Sequence, residues 1–189
     1  MYLKVYTCTN KSTKKTKYTY AQVNLRPILP GHVLVVPLRT DVVALSNLTQ
    51  EEFQDFFKVV QLIQLFIRWQ YQADSINIAI QDGPESGQSV PHLHTHIIPR
   101  YRVNNIGDKI YERLDEWDAR RDAYIGSGGR EGRKKDEESR RRTGPDHALK
   151  PDESRVDRSP DEMREEAVVL KERLGVFLAE HPDIAKLWS

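Results

Sequence analysis

Residues 92–99 read His-Leu-His-Thr-His-Ile-Ile-Pro, with His92, His94 and His96 at every second position. Residues two apart on a β-strand share a face at a spacing of about 6.5–7 Å, so an extended run here lines three imidazoles along one side of a sheet. Leu93, Thr95 and Ile97 then take the other side. Polar rings on one face are costly unless a ligand satisfies them. Two ligands suit imidazoles in this register: a metal ion and a phosphate group.

A Zn²⁺ ion asks for convergent nitrogen, sulfur or carboxylate donors. A twisted strand helped by His32 meets that need in part, but the triplet contains no acidic residue, and the only cysteine of the chain, Cys8, lies far away in sequence. The phosphate reading draws on the segment before the histidines. "SINIAIQD" (75–82) has the β-branched alternation of a strand, and "GPESGQSVP" (83–91) is a glycine and proline loop. Gly83 and Gly87 let backbone approach an anion, and Gln88 and Ser89 add neutral donors that hold a phosphate without trapping it. Strand, loop and histidine strand together predict a wide hairpin.

Further upstream, "YTYAQVNLRPILPGHVLVVP" (18–37) is two β-rich runs joined by a Pro/Gly turn, a second hairpin. Thr49 and Glu52 have capping-box spacing, and Phe53, Phe56, Phe57, Val60, Ile63 and Ile67 recur at helical intervals. They predict one amphipathic helix from Gln50 to Gln72, with its aromatic stripe and Trp69 in the core. Beyond Tyr101, "GDKIYERLDEWDARRDAYI" is moderately helical. Residues 126–160 carry almost no large apolar side chain and predict a disordered charged insert, because they cannot bury enough surface to offset ordering entropy. "EMREEAVVLKERLGVFLAEH" (162–181), in the last segment 161–189, predicts a helix that docks back on a catalytic domain of residues 1–125.

The chain of 189 residues has a formal net charge of +1 and a pI near 7.9, so its overall charge favours neither nucleic acid nor a membrane surface as partner. One cysteine fits a reducing compartment. No apolar run reaches the roughly 18 residues of a membrane span, and the N-terminus lacks the apolar centre of a signal peptide. A cytoplasmic location is expected, with nuclear access left open by the basic runs "GRKK" and "SRRR".

"HLHTHII" resembles the signature of the histidine triad superfamily. "YAQVNLRPILPGHVLVVPLR" and "NIAIQDGPESGQSVPHLHTHIIPR" are similar to its fragile histidine triad branch, and "IYERLDEWDARRD" resembles the fungal dinucleoside triphosphate hydrolases of that branch. The resemblance covers Tyr18 to Tyr124. It implies an α+β histidine-triad fold, a five-stranded antiparallel sheet with helices that pairs across a two-fold axis as a homodimer. It also implies hydrolysis of diadenosine triphosphate to AMP and ADP, with Mg²⁺ or Mn²⁺ accompanying the polyphosphate and no metal held by protein side chains. By the same resemblance His94 is the nucleophile and His32, His92 and His96 are the other active-site histidines. Gln81 then assists at the leaving group, Asn24 contacts the nucleotide sugar, and Gly87, Gln88, Ser89 and Val90 bind substrate.

The related nucleotidyl transferases carry Gln at the position of His96, so this histidine argues for hydrolysis. Tyr111 matches a tyrosine phosphorylated in animal relatives, with simple packing beside Ile110 as the alternative. Two positions depart from the pattern. Thr95 stands where an apolar residue is usual, a change expected to matter little because a β-branched residue fits a strand. Residues 1–16 do not resemble the family's first strand, so no base-binding residue is assigned there.

The chemistry needs little preparation. A neutral imidazole attacks phosphorus without first losing a proton, and a backbone carbonyl holding His94 Nδ1–H makes the other nitrogen the nucleophile. The resemblance assigns that carbonyl to His92. A nucleotide-dependent signalling adaptor and a nucleoside phosphoramidase remain as alternatives on the same fold, and a zinc-binding strand protein as a third.

Overall fold

In a computed structural model of the chain, which describes residues 16–102, 107 and 157–186, the sheet is built from two antiparallel hairpins. Strand β1 (Thr19–Val23) pairs with β2 (Val33–Pro37) in the register Thr19 to Pro37 and Val23 to Val33. Strand β3 (Ser75–Ile80) pairs with β4 (Thr95–Arg100) from Ser75 opposite Arg100 to Ile80 opposite Thr95. The hairpins join through β2 and β4, where Leu34 faces His96, giving the order β1-β2-β4-β3. Four strands are present among the described residues, against the five expected; residues 1–15 lie outside the description.

Period-two alternation sorts the side chains. Ala21, Val23, Val33, Val35 and Ile97 enter the main core beneath the helices, while Leu34, Val36, His96 and Ile98 point to the opposite face. Helix α1 (Gln50–Gln70) lies on the first face through Phe56, Val59, Val60, Ile63, Phe66 and Ile67. Thr49 Oγ1 accepts from Glu52 N–H at 3.2 Å, and Glu52 Oε2 accepts from Thr49 N–H at 2.9 Å, completing the expected capping box. The helix stops two residues short of Gln72 because that residue turns to φ 51°, outside the helical region.

Helix α2 (Pro160–Glu180) has a second capping box, Ser159 with Glu162, and proline in its first turn. Met163, Ala167, Leu170, Leu174 and Phe177 bury its inner face in the same core, with the Phe177 ring 5.9 Å from Phe66 and 5.4 Å from Trp69. His181 caps it, and Pro182 starts the short α3 (Pro182–Lys186) because proline offers no N–H to continue the ladder. Tyr111 and most of the charged insert, residues 126–156, lie outside the described residues. The insert's last four residues, 157–160, are described: Asp157 pairs with Arg26, and Arg158 N–H donates to Leu25 O at 3.2 Å. Among the described residues no helix is long and apolar enough to cross a membrane.

Candidate active site

The histidines do not share one straight strand. β4 begins at Thr95, so only His96 is a strand residue, and the expectation of an extended run from His92 is corrected. The reason is where the backbone donors go: His92 N–H reaches Val90 O at 2.7 Å and Leu93 N–H reaches Val42 O at 2.7 Å, which bends the chain out of the ladder before His94. The bend serves the site. His94 and His96 end with ring centroids 4.9 Å apart in an edge arrangement, and His32, brought in by the turn after β1, lies 5.2 Å from His96. His32, His94 and His96 are all buried.

Obligate donors and acceptors fix the tautomers. Ile28 N–H can only donate, so His32 Nδ1, 3.2 Å away, accepts and His32 keeps its proton on Nε2. That Nε2–H donates to His96 Nδ1 at 3.0 Å, which leaves the His96 proton on Nε2. His96 Nε2 is buried and has no hydrogen-bond partner among the described residues. On the neighbouring ring, His94 Nδ1–H donates to the His92 carbonyl at 2.8 Å, so Nε2 is the nitrogen with an available lone pair. Burial holds His94 below its ordinary value of 6.5, against the opposing pull of the His92 carbonyl. His96 is lowered further by burial and by the adjoining His32 and His94 rings. A neutral imidazole with its Nε2 unprotonated therefore sits beside a neutral N–H donor.

The other expected residues fall around this pair. Asn24 is buried at the end of β1, with Nδ2 3.1 Å from His32 Nδ1, so its amide is committed to that ring. Gln81 is buried and follows Ile80, the partner of Thr95, which carries it to the level of His94. A 3₁₀ turn at Pro84–Ser86 closes on Gly87, whose φ of 85° favours glycine. Gln88 Nε2 donates to Val43 O at 2.7 Å, so one of its two amide hydrogens holds a loop in place, a structural task the sequence did not announce. Ser89 Oγ is buried with no hydrogen-bond partner among the described residues. Val90 supplies the carbonyl that turns His92. His92 donates from Nε2 to Arg39 O at 3.2 Å.

Among the described residues no cluster of three or more His, Cys, Asp or Glu side chains is placed to hold a metal ion. The His32 and His96 nitrogens that face each other share a proton, an arrangement for relaying hydrogen bonds and not for ligating a cation. Sequence reasoning missed Thr95's buried hydroxyl, Arg39 and Arg158, whose guanidinium donates to the Asn24 carbonyl and pairs with Glu166. Only the apolar neighbours of Thr95 carried a signal, since a polar residue in a buried strand invites the question of its partner.

A buried imidazole pair at the joint of two hairpins, with a turned glycine loop alongside, forms a candidate phosphate site built on histidines. The HIT domain family matches residues 8–103, and the chain belongs to that family. It is 52% identical over 200 aligned residues to a bis(5'-adenosyl)-triphosphatase of Saccharomyces cerevisiae, covering 98% of this chain and 97% of the relative. A bis(5'-nucleosyl)-tetraphosphatase (asymmetrical) of Schizosaccharomyces pombe is 42% identical over 158 residues, covering 83% and 85%. Among solved structures, the NitFhit protein of C. elegans superposes with a TM-score of 0.53 at 28% identity, over 83% of this chain and 26% of that one. This chain thus spans about a quarter of that protein.

Proposed function

We propose that the protein hydrolyses diadenosine triphosphate to AMP and ADP through a covalent nucleotidyl-histidine. The observation that carries the reading is the His94–His96 pair: Nδ1–H of His94 tied to a carbonyl, so that Nε2 attacks, and His96 Nε2–H beside it as donor. In the first step the His94 Nε2 to α-phosphorus bond forms as the bond from that phosphorus to the ADP oxygen breaks. His96 donates to the phosphate oxygens and Gln81 reaches the leaving oxygen. Water then attacks the same phosphorus, releasing AMP and restoring His94. Two in-line displacements give net retention.

Ser89 Oγ, buried without a partner among the described residues, suits a phosphate oxygen, and the Gly87–Val90 turn supplies backbone beside it. The divalent cation travels with the polyphosphate as part of the substrate, and the name of the budding-yeast relative supports the substrate class. We place the enzyme in the cytoplasm, with access to the nucleus. The homodimer expected from the resemblance is part of the proposal: β3 is an edge strand among the described residues, and Ile78 on it is 48% exposed.

Product analysis in ¹⁸O-water tests the reading. Incubated with diadenosine triphosphate and Mg²⁺, the native protein is expected to give AMP and ADP in equal amounts with the label in AMP, and His94→Asn to lose about a thousandfold or more in rate. Label in ADP refutes attack at the α-phosphate. A higher kcat/KM on diadenosine tetraphosphate moves the assignment to the activity named for the fission-yeast relative.

A further inference from the structure

The loop leaving β2 offers three of its carbonyls to the triad loop. Arg39 O accepts from His92 Nε2–H at 3.2 Å, Val42 O from Leu93 N–H at 2.7 Å and Val43 O from Gln88 Nε2–H at 2.7 Å. His92, gripped in this way, presents the carbonyl that holds the nucleophile's Nδ1–H at 2.8 Å. The register of the loop therefore reaches His94 through two hydrogen bonds.

One side chain sets that register. The Arg39 guanidinium forks onto both oxygens of Glu52, at 2.8 Å each, and also donates to Asp41 Oδ1 at 3.0 Å and Asn47 O at 2.6 Å. Glu52 is 6% exposed and at the same time caps α1, so the fork is fixed to the most regular element of the fold. Asn47 Oδ1 accepts from Val43 N–H at 3.2 Å and Ala44 N–H at 2.9 Å, and Asp82 Oδ1 from Leu45 N–H at 2.9 Å, closing the rest of the loop.

We propose that Arg39 and Glu52 are positioning residues for the reaction, bolting the carbonyl rack 39–43 to helix α1 so that His92 holds the tautomer and aim of His94. The kinetic part of this inference rests on the hydrolase reading; the tautomer part does not. A pair that serves only to cap α1 makes a different prediction, because loss of a cap lowers stability and leaves the imidazoles as they are.

Full-length native protein, Arg39→Ala, Arg39→Lys and Glu52→Gln are compared by steady-state kinetics on diadenosine triphosphate and by ¹⁵N–¹H multiple-bond spectra of the imidazoles. Arg39→Ala and Glu52→Gln are expected to lose roughly tenfold to a hundredfold in kcat, with KM within about twofold. Arg39→Lys, which keeps charge but not the fork, is expected to fall with them. In the spectra His94 changes from a single Nδ1–H tautomer to a mixture, while His32 and His96 keep theirs. Unchanged kcat in a folded variant overturns the proposal, as does a lowered kcat with the His94 tautomer intact. Should Arg39→Ala fail to fold, Glu52→Gln, which keeps side-chain volume and the means to cap, decides on both readouts. If the native protein releases no AMP, the hydrolase reading fails, and the spectra alone judge the positioning role.

Discussion

Thr95 lies between His94 and His96, 0% exposed, with its side chain on the core face and its hydroxyl without a partner among the described residues. A buried unsatisfied hydroxyl costs about 1–3 kcal/mol, so the view that threonine here changes little holds for backbone shape and fails for energy. Thr95→Val is expected to raise stability by about 1–2 kcal/mol, seen as a higher midpoint in urea, with kcat retained because the methyl groups face away from the histidines. Gly31 predicts the reverse. At φ 85° a Cβ there meets the Tyr71 ring at 2.6 Å, so Gly31→Ala, one residue from His32, is expected to cost about 2 kcal/mol or more by the same measurement.

The histidines set a pH response. His94 and His96 are both held below 6.5, first by burial, so on the proposed mechanism the acid limb of kcat/KM is expected below that value. An acid limb centred at or above pH 7 contradicts the buried pair. Much of this site was legible: alternation announced the histidines, and the resemblance named His94, His96, His32 and Gln81. The His94 tautomer was legible too, since the resemblance assigned the His92 carbonyl to its Nδ1–H; those of His32 and His96 were not, because they depend on the Ile28 N–H, which no side chain encodes.

At the scale of elements, Glu52 links stability to acid. The Arg39 fork and the Thr49 N–H hold its carboxyl down at about 2, below its ordinary 4.5. A depressed folded value means that the unfolded chain takes up the proton first, so the stabilisation is complete above about pH 4.5 and is lost as pH falls towards 2. Glu52→Ala is expected to lower stability at pH 7 by about 1–2 kcal/mol through the lost cap and pair, with the gap to native narrowing between pH 5 and 2 in urea titrations. A gap independent of pH across that range rules the ionised pair out as its source. The capping box was readable because both partners lie within one turn; the Arg39 fork was not, since its partner is 13 residues on and the loop between them has no periodicity. The late start of β4 escaped notice for a related reason. Alternation marks which side a residue takes, but the competing acceptor at Val42 is visible only when distant segments meet.

At the scale of the molecule, the exposed β3 edge is where a second copy is expected to add. Ile78→Lys is expected to shift the native protein from dimer to monomer in sedimentation velocity while its circular dichroism is kept; a dimer that survives the charge places the interface elsewhere. Of the α1 stripe read from periodicity, Phe56, Val60, Ile63 and Ile67 lie in the core while Phe53, in the first turn, is exposed, and the C-terminal helix docks as expected. Nothing in the sequence brought 157–158 to 24–26, because a contact across 134 residues leaves no local pattern.

That contact has a consequence for the order in which the enzyme comes into being. β1 and Asn24 are made early by the ribosome, yet the Asn24 carbonyl receives its donor only when Arg158 arrives, and Arg158 is itself held by Glu166 inside α2. Closing so long a loop is a late event in folding, whether on the ribosome or from denaturant. The corner of the candidate site at Asn24 is therefore completed only as α2 docks, whatever order the sheet and α1 form in. Activity should return after secondary structure in a refolding time course.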